Sequence, residues 1–199
     1  MARTRAEDFE EKQRSILLDA ASVFASQGME KASMSQIAAA AGVSKSLLYH
    51  YYPSKDALIF AIIETHLAEL DAALAAADGS DGPPEDRLRV LIGTVLEKYR
   101  GADDQHKVQL NAAPALSDEQ RAAITAIERR IVARFSAVLA EINPGLGNGH
   151  HALLMPVTMS LFGMLNWVYM WFREGGPISR EDYADLVTRL MLEGIGGVR

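Results

Sequence analysis

Along almost the whole chain the apolar residues recur at intervals of three and four, and nowhere do they alternate with the period of two that a strand requires. Phe9, Ile16, Leu17, Ala20, Val23 and Phe24 form one such stripe. Gly28 closes it, because glycine takes a positive φ at little cost and so ends helices. The pattern restricts the chain to an all-α fold of about nine helices. Ser33 predicts the N-cap of a short helix over 34–41, Gly42 and Val43 a tight turn, and Ser44 the cap of a second short helix reaching Tyr51 or Tyr52. Pro53 ends that helix, and Ser54 opens a long one to about Ala77. The glycine- and proline-rich run 78–84 is a loop. Helices are expected at 85–100 and 103–112, then from Ser117, whose spacing to Gln120 is that of a capping box, to about Ile142. A second loop over 143–149 precedes an apolar helix beginning near Ala152 and broken at Gly175, Gly176 and Pro177. Ser179 with Asp182 caps a last helix to about Ile195.

Several function classes fall away on composition. A chain of 199 residues can bury a core without covalent staples, and this one has no cysteine, so disulfides, thiolate catalysis and cysteine-ligated zinc are excluded. That usage suits a reducing, cytoplasmic setting. The first residues mix charges of both signs without an apolar run, unlike a signal peptide. The uncharged stretch 152–172 has about the length of a bilayer-crossing helix. It contains Pro156, Thr158, Ser160, Gly163 and Asn166, however, and reads instead as a helix buried on all sides by others, with no membrane partner. The net charge is −6, but the first sixty residues are close to neutral, so the acidity lies in the remainder and the N-terminal part is free to approach phosphate.

Two short helices joined by a glycine-containing turn, as expected over 33–52, satisfy the geometry of a helix-turn-helix. Ile37, Ala38 and Ala41 on the first helix and Val43 with Leu47 or Leu48 on the second supply a small apolar wedge. The outward side of the second helix carries Lys45, Ser46, Tyr49 and His50, whose hydroxyls and cation can bond phosphate oxygens or base edges. An αα-corner in a helical core has the same spacing, and geometry alone leaves both readings open.

The residues themselves separate them. Ile37 through Lys45, continuing as Leu48-Tyr49-His50-Tyr51-Tyr52-Pro53-Ser54-Lys55-Asp56-Ala57-Leu58, closely resembles the signature of the tetracycline-repressor (TetR) family, and the likeness extends from about Ile16. Tyr52 stands where that family usually has phenylalanine, and Ser46-Leu47 fill its usual glycine, threonine or proline region, which bears on the bases read. The resemblance implies an N-terminal three-helix DNA-binding domain, residues 1–53, and a C-terminal helical bundle for ligand binding and dimerisation, residues 54–199. It implies phosphate contacts from Ser33 and Ser44, groove-facing positions at Lys45, Ser46 and Leu47, phosphate or base contacts from Tyr49, His50 and Tyr51, and a backbone anchor at Lys55. For the aromatic residues the alternative is core packing, above all for Tyr52.

A head this small reads too few bases alone, so double-stranded DNA with a palindromic operator and a homodimer are the expected partners. The last two helices carry more apolar surface than one monomer can bury, which makes them the expected dimer interface. Leu96, Tyr99, Met159, Phe162, Met164, Asn166, Trp167 and Met170 are the candidate lining of an effector pocket, with plain core packing as the alternative for each. Asn166, an amide in an apolar helix, needs a partner and can either pair across the dimer or orient a ligand. The run 161–177 also resembles the C-terminal half of an acyl-CoA-responsive TetR subgroup. Arg100, Lys107, Arg121, Arg129, Arg130 and Arg134 would then meet the phosphates of such a ligand, or else form a solvated helix face. The expected mechanism is a repressor released by its effector, through a tilt of the helix that starts at Ser54.

Two rivals remain at this level. An enzyme would need a catalytic motif, and His50, His66, His106, His150 and His151 show no metalloprotease spacing, nor is there a nucleophile elbow. No catalytic residue, cofactor or metal site is therefore expected, since adjacent His150 and His151 in a glycine-rich loop point apart. The other rival is a helical adaptor whose head binds protein.

Overall fold

The computed structural model describes residues 2–79, 82–147 and 152–197, and all regular structure among them is helical. Helix α1 spans Ala2–Gln27, α2 Met34–Ala40, α3 Lys45–Tyr51 and α4 Lys55–Ala77. They are followed by α5 Pro84–Lys98, α6 Asp103–Asn111 and α7 Asp118–Ile142, then α8 Leu154–Asn166, α9 Val168–Trp171 and α10 Arg180–Ile195. Short 3-10 turns occupy Ala113–Ala115 and Pro144–Gly147. The expected caps are present. Ser33, Ser44 and Ser179 accept from backbone N–H groups three residues on, and Ser117 forms the reciprocal pair with Gln120. Gly28 and Gly42 carry φ of +84° and +60° at the turns after α1 and α2.

One expectation needs correcting. The stretch 152–172 is neither one helix nor buried all round: α8 stops at Asn166, and Trp167 begins the separate short turn of α9. Within α8, Thr158 and Ser160 donate back to the carbonyls of Leu154 and Pro156, both at 2.8 Å, bonds that tend to bend a helix. Met155, Met159, Trp167 and Met170 are each at least half exposed. No helix among the described residues is long and apolar enough to cross a membrane.

The chain divides into two compact units, one of residues 1–68 with 101–125, the other of residues 69–100 with 126–199. Both α4 and α7 run across a boundary between them. In the first unit α1 packs on α2 and α6, and α2 packs on α3. Ile16, Ala20, Ile37, Leu48, Leu58 and Ile59 are fully buried there. His66 on α4 and His106 on α6 also lie inside it, with ring centroids 6.4 Å apart. Burial, and secondarily the neighbouring His106, pull the His66 imidazole down to a pKa of about 4.

In the second unit α5, α8 and α10 pack together around Leu91, Ile92, Val95, Leu161, Leu165 and Val187. Phe135 of α7 meets Phe162 edge-on with centroids 5.0 Å apart. Arg87 ties this unit together at the surface, reaching Glu141 at 2.7 Å and Asp78 at 3.3 Å. The Asn143 amide donates to the carbonyl of Ile195 at 2.9 Å and so closes the C-terminal end of α10.

Candidate functional site

The α2–α3 pair is held by its termini. At the start of α2 the Ser33 backbone N–H donates to the Gln36 side-chain oxygen at 2.9 Å, and the Gln36 N–H returns a bond to the Ser33 hydroxyl at 3.3 Å. After α2, Gly42 reverses the chain and the Val43 N–H reaches back to the Ala38 carbonyl at 2.9 Å. The Lys12 ammonium lies 3.5 Å from the Ala41 carbonyl, at the negative end of α2. The Ser44 hydroxyl accepts from the Leu47 N–H at 3.1 Å and lies 3.0 Å from the Ser46 hydroxyl.

Leu48, with no exposed surface, fixes the rotation of α3. Successive helical residues turn by about 100°, so Ser46 and His50 fall opposite Leu48. Lys45 and Tyr49 share one flank, and Leu47 stands on the other. All five of these are exposed. The Lys45 ammonium lies 5.9 Å from the Tyr49 ring centroid, where the ring face favours a cation. This surface therefore offers a hydroxyl, a phenol, an imidazole, a cation and one aliphatic side chain, and no carboxylate from α3 itself. Such a set suits phosphate oxygens and base edges.

Tyr51, Tyr52 and Lys55 are placed differently. Tyr51 is half-buried with its ring 5.0 Å from that of Phe9, and Tyr52 is buried, which raises the pKa of its phenol. The Lys55 ammonium donates to the carbonyls of Met29, Glu30 and Ala32 at 2.7, 3.1 and 3.3 Å. Its three protons thus hold the loop between α1 and α2 onto the start of α4, a structural task that no local motif announces.

The candidate effector residues separate into two sets. Leu96, Tyr99 and Phe162 are buried in the second unit, and Met164 and Asn166 are half-buried there. The Tyr99 hydroxyl donates to the Asn166 side-chain oxygen at 2.9 Å, and burial raises the pKa of that phenol well above its ordinary value. Met159, Trp167 and Met170 are instead exposed, as are Met155 of α8 and Leu186 and Leu190 of α10.

The cations considered for ligand phosphates mostly have carboxylates beside them. Arg100 pairs with Glu97 and Glu174, Lys107 with Asp104, Arg121 with Asp118, Arg130 with Asp71, and Arg134 with Asp71 and Asp78. Arg129 is exposed.

Two features escaped the sequence reading. Arg180 lies 4.7 Å from the Phe172 ring centroid, donates to the Leu96 carbonyl at 3.0 Å and pairs with Glu174 at 2.6 Å. The second is a cleft of about 310 Å³ between α5 and α10, lined among others by Arg89, Gly93, Glu97, Arg180 and Asp185. Arg89 and Asp185 pair across it at 2.6 Å. No group of three or more metal-ligating side chains occurs among the described residues, and His150 and His151 lie outside them.

Comparison with known proteins agrees with this arrangement. Residues 16–62 match the model for bacterial regulatory proteins of the tetR family, and residues 81–195 match a tetracyclin repressor-like C-terminal domain. A TetR-family transcriptional regulator from Bordetella parapertussis 12822 is 32% identical over 94% of this chain and 97% of its own, with a TM-score of 0.84. AibR, solved in complex with isovaleryl coenzyme A and operator DNA, is 27% identical over 90% of this chain and 97% of its own, with a TM-score of 0.76. The transcriptional repressor KstR2 of Mycobacterium tuberculosis (strain ATCC 25618 / H37Rv) is 25% identical over 88% of each chain. With family matches at both its N-terminal helix pair and the helices that follow it in sequence, the chain is a member of the TetR family of helix-turn-helix transcriptional regulators.

Proposed function

We propose that this protein is a cytoplasmic repressor that binds a palindromic operator as a homodimer and is released by a small hydrophobic effector of the acyl-CoA class. The observation that carries the DNA-binding part is the exposed face of α3, where Lys45, Ser46, Leu47, Tyr49 and His50 surround a helix locked by the Ser44 cap and buried Leu48. Residues 1–53 form the reading domain in this account and residues 54–199 the sensing and dimerising one. Ser33 and Ser44 stand at helix starts, where backbone N–H groups favour phosphate. Tyr51 supports the head from within it, against Phe9, and Lys55 braces it from the start of α4.

The exposure of Met155, Met159, Trp167, Met170, Leu186 and Leu190 supports dimerisation through α8, α9 and α10. Large apolar side chains exposed on helices that pack against one another mark a partner surface. Leu96, Tyr99, Phe162, Met164 and Asn166 are the proposed effector contacts, with the Tyr99–Asn166 pair as the polar point that orients a ligand in apolar surroundings. The effector class is supported by the likeness to AibR, whose own complex holds isovaleryl coenzyme A and operator DNA. The ion-paired state of Arg100, Arg130 and Arg134 means that a CoA phosphate would have to displace carboxylates to reach them.

Operator affinity measured with and without short- and medium-chain acyl-CoAs tests this reading. A loss of at least fivefold with one of them, in the range of an ordinary allosteric coupling of about 1–3 kcal/mol, is the expected result. Unchanged affinity at saturating acyl-CoA, with ligand binding shown separately, contradicts the release mechanism.

A further inference from the structure

We infer that Leu47 reads the methyl group of a thymine in each operator half-site, an inference that rests on α3 being the operator-reading helix. Leu47 is 37% exposed although it is aliphatic, and it sits in the first turn of α3, the part of a recognition helix that reaches base edges. Its place is fixed from both sides. Its backbone N–H is bonded to the Ser44 hydroxyl at 3.1 Å, and the adjacent Leu48 is fully buried. The polar groups of the surface stand elsewhere around the helix, with Lys45 beside the Tyr49 ring and Ser46 against Ser44.

An aliphatic side chain can neither donate nor accept a hydrogen bond. Among the base edges exposed in the major groove, the one apolar group is the C5-methyl of thymine. An exposed leucine among hydroxyls and a cation is therefore matched to that group. The neighbouring polar residues have phosphates and base acceptors available to them.

Replacing thymine by deoxyuridine removes only the methyl and keeps the pairing, so it tests the contact directly. The full-length protein is first given its operator by selection from random double-stranded DNA, and each thymine is then replaced in turn in both half-sites. Removing one contacted methyl is worth about 0.8 kcal/mol, or about fourfold in affinity per half-site, and about fifteenfold when both are removed. The expected result is one such position per half-site for the native protein and for Leu47→Met, and none for Leu47→Ala. Leu47 is exposed, so both variants should keep their fold, and circular dichroism with thermal melting verifies this. An operator indifferent to deoxyuridine at every thymine, or a penalty that persists in Leu47→Ala, overturns the inference alone. Failure to select any operator overturns the proposed function together with it.

Discussion

The Lys55 ammonium donates to the Met29 carbonyl at 2.7 Å, joining the start of α4 to the loop before the reading helices. Two further carbonyls, of Glu30 and Ala32, complete its coordination. A charge-assisted bond inside a partly buried site is worth more than a neutral one. Lys55→Met should therefore lower stability by about 2 kcal/mol in urea unfolding. In the variant that remains folded, the salt dependence of operator binding should be unchanged. Lys45→Ala is the contrast: its cation is exposed on α3, and its loss should reduce the salt slope by about one per protomer with little change in stability. A salt slope altered by Lys55→Met would make that residue a phosphate contact instead.

Gly42 turns the chain between α2 and α3 at φ +60°, and a Cβ built there meets nothing within 4 Å. The cost of Gly42→Ala is thus purely conformational, about 1–2 kcal/mol for a left-handed backbone on an L-residue. Thermal melting should show the loss. Operator affinity should fall as well, because the same turn sets the angle between α2 and α3.

Burial keeps the His66 imidazole uncharged down to a pKa of about 4, whereas in the unfolded chain it protonates near its ordinary value of about 6.5. Between these pH values the unfolded state binds more protons, so this residue makes stability fall as pH falls and has no further effect below about 4. His66→Leu should flatten the stability profile in that window. Urea midpoints from pH 7.5 to 4.5 for both proteins measure the difference, and parallel profiles would show that the residue titrates normally in the fold.

Trp167 is 59% exposed and Leu190 is 54% exposed, and in the proposed homodimer both are buried against a second copy. Trp167→Asp with Leu190→Asp should leave a folded monomer by sedimentation and weaken operator binding by far more than tenfold, because one head lacks the second half-site. A dimer that survives both changes would place its interface elsewhere.

The helices and their caps were legible in the sequence because each end carries its own local chemistry: Ser33, Ser44, Ser117 and Ser179 at starts, Gly28 and Gly42 at turns. Lys45, Ser46, Tyr49 and His50 were legible as the outward side of α3 from the apolar spacing, but that spacing left Leu47 and Leu48 both open as the wedge residue, and the burial of Leu48 decides between them. What the sequence concealed depends on residues far apart in the chain. Near the break between α8 and α9 the sequence holds only Asn166 and, four residues before Trp167, Gly163, with neither glycine nor proline at the junction itself. Nothing near Lys55 announces that its partners are the carbonyls of Met29, Glu30 and Ala32. Met159, Trp167 and Met170 read as pocket lining because apolar residues at helical spacing do not say whether they face a cavity, a core or another molecule. The meeting of Tyr99 with Asn166 likewise rests on the packing of α5 beside α8.

The most direct test of the central claim is the affinity of the purified protein for its selected DNA against a scrambled duplex of equal length, at near-physiological salt. The expected result is an inverted repeat, bound at least about a thousandfold more tightly than the scrambled duplex, with half-sites about one helical turn apart or a multiple of it. Equal affinity for the two duplexes would contradict it and leave the exposed face of α3 without a reading function.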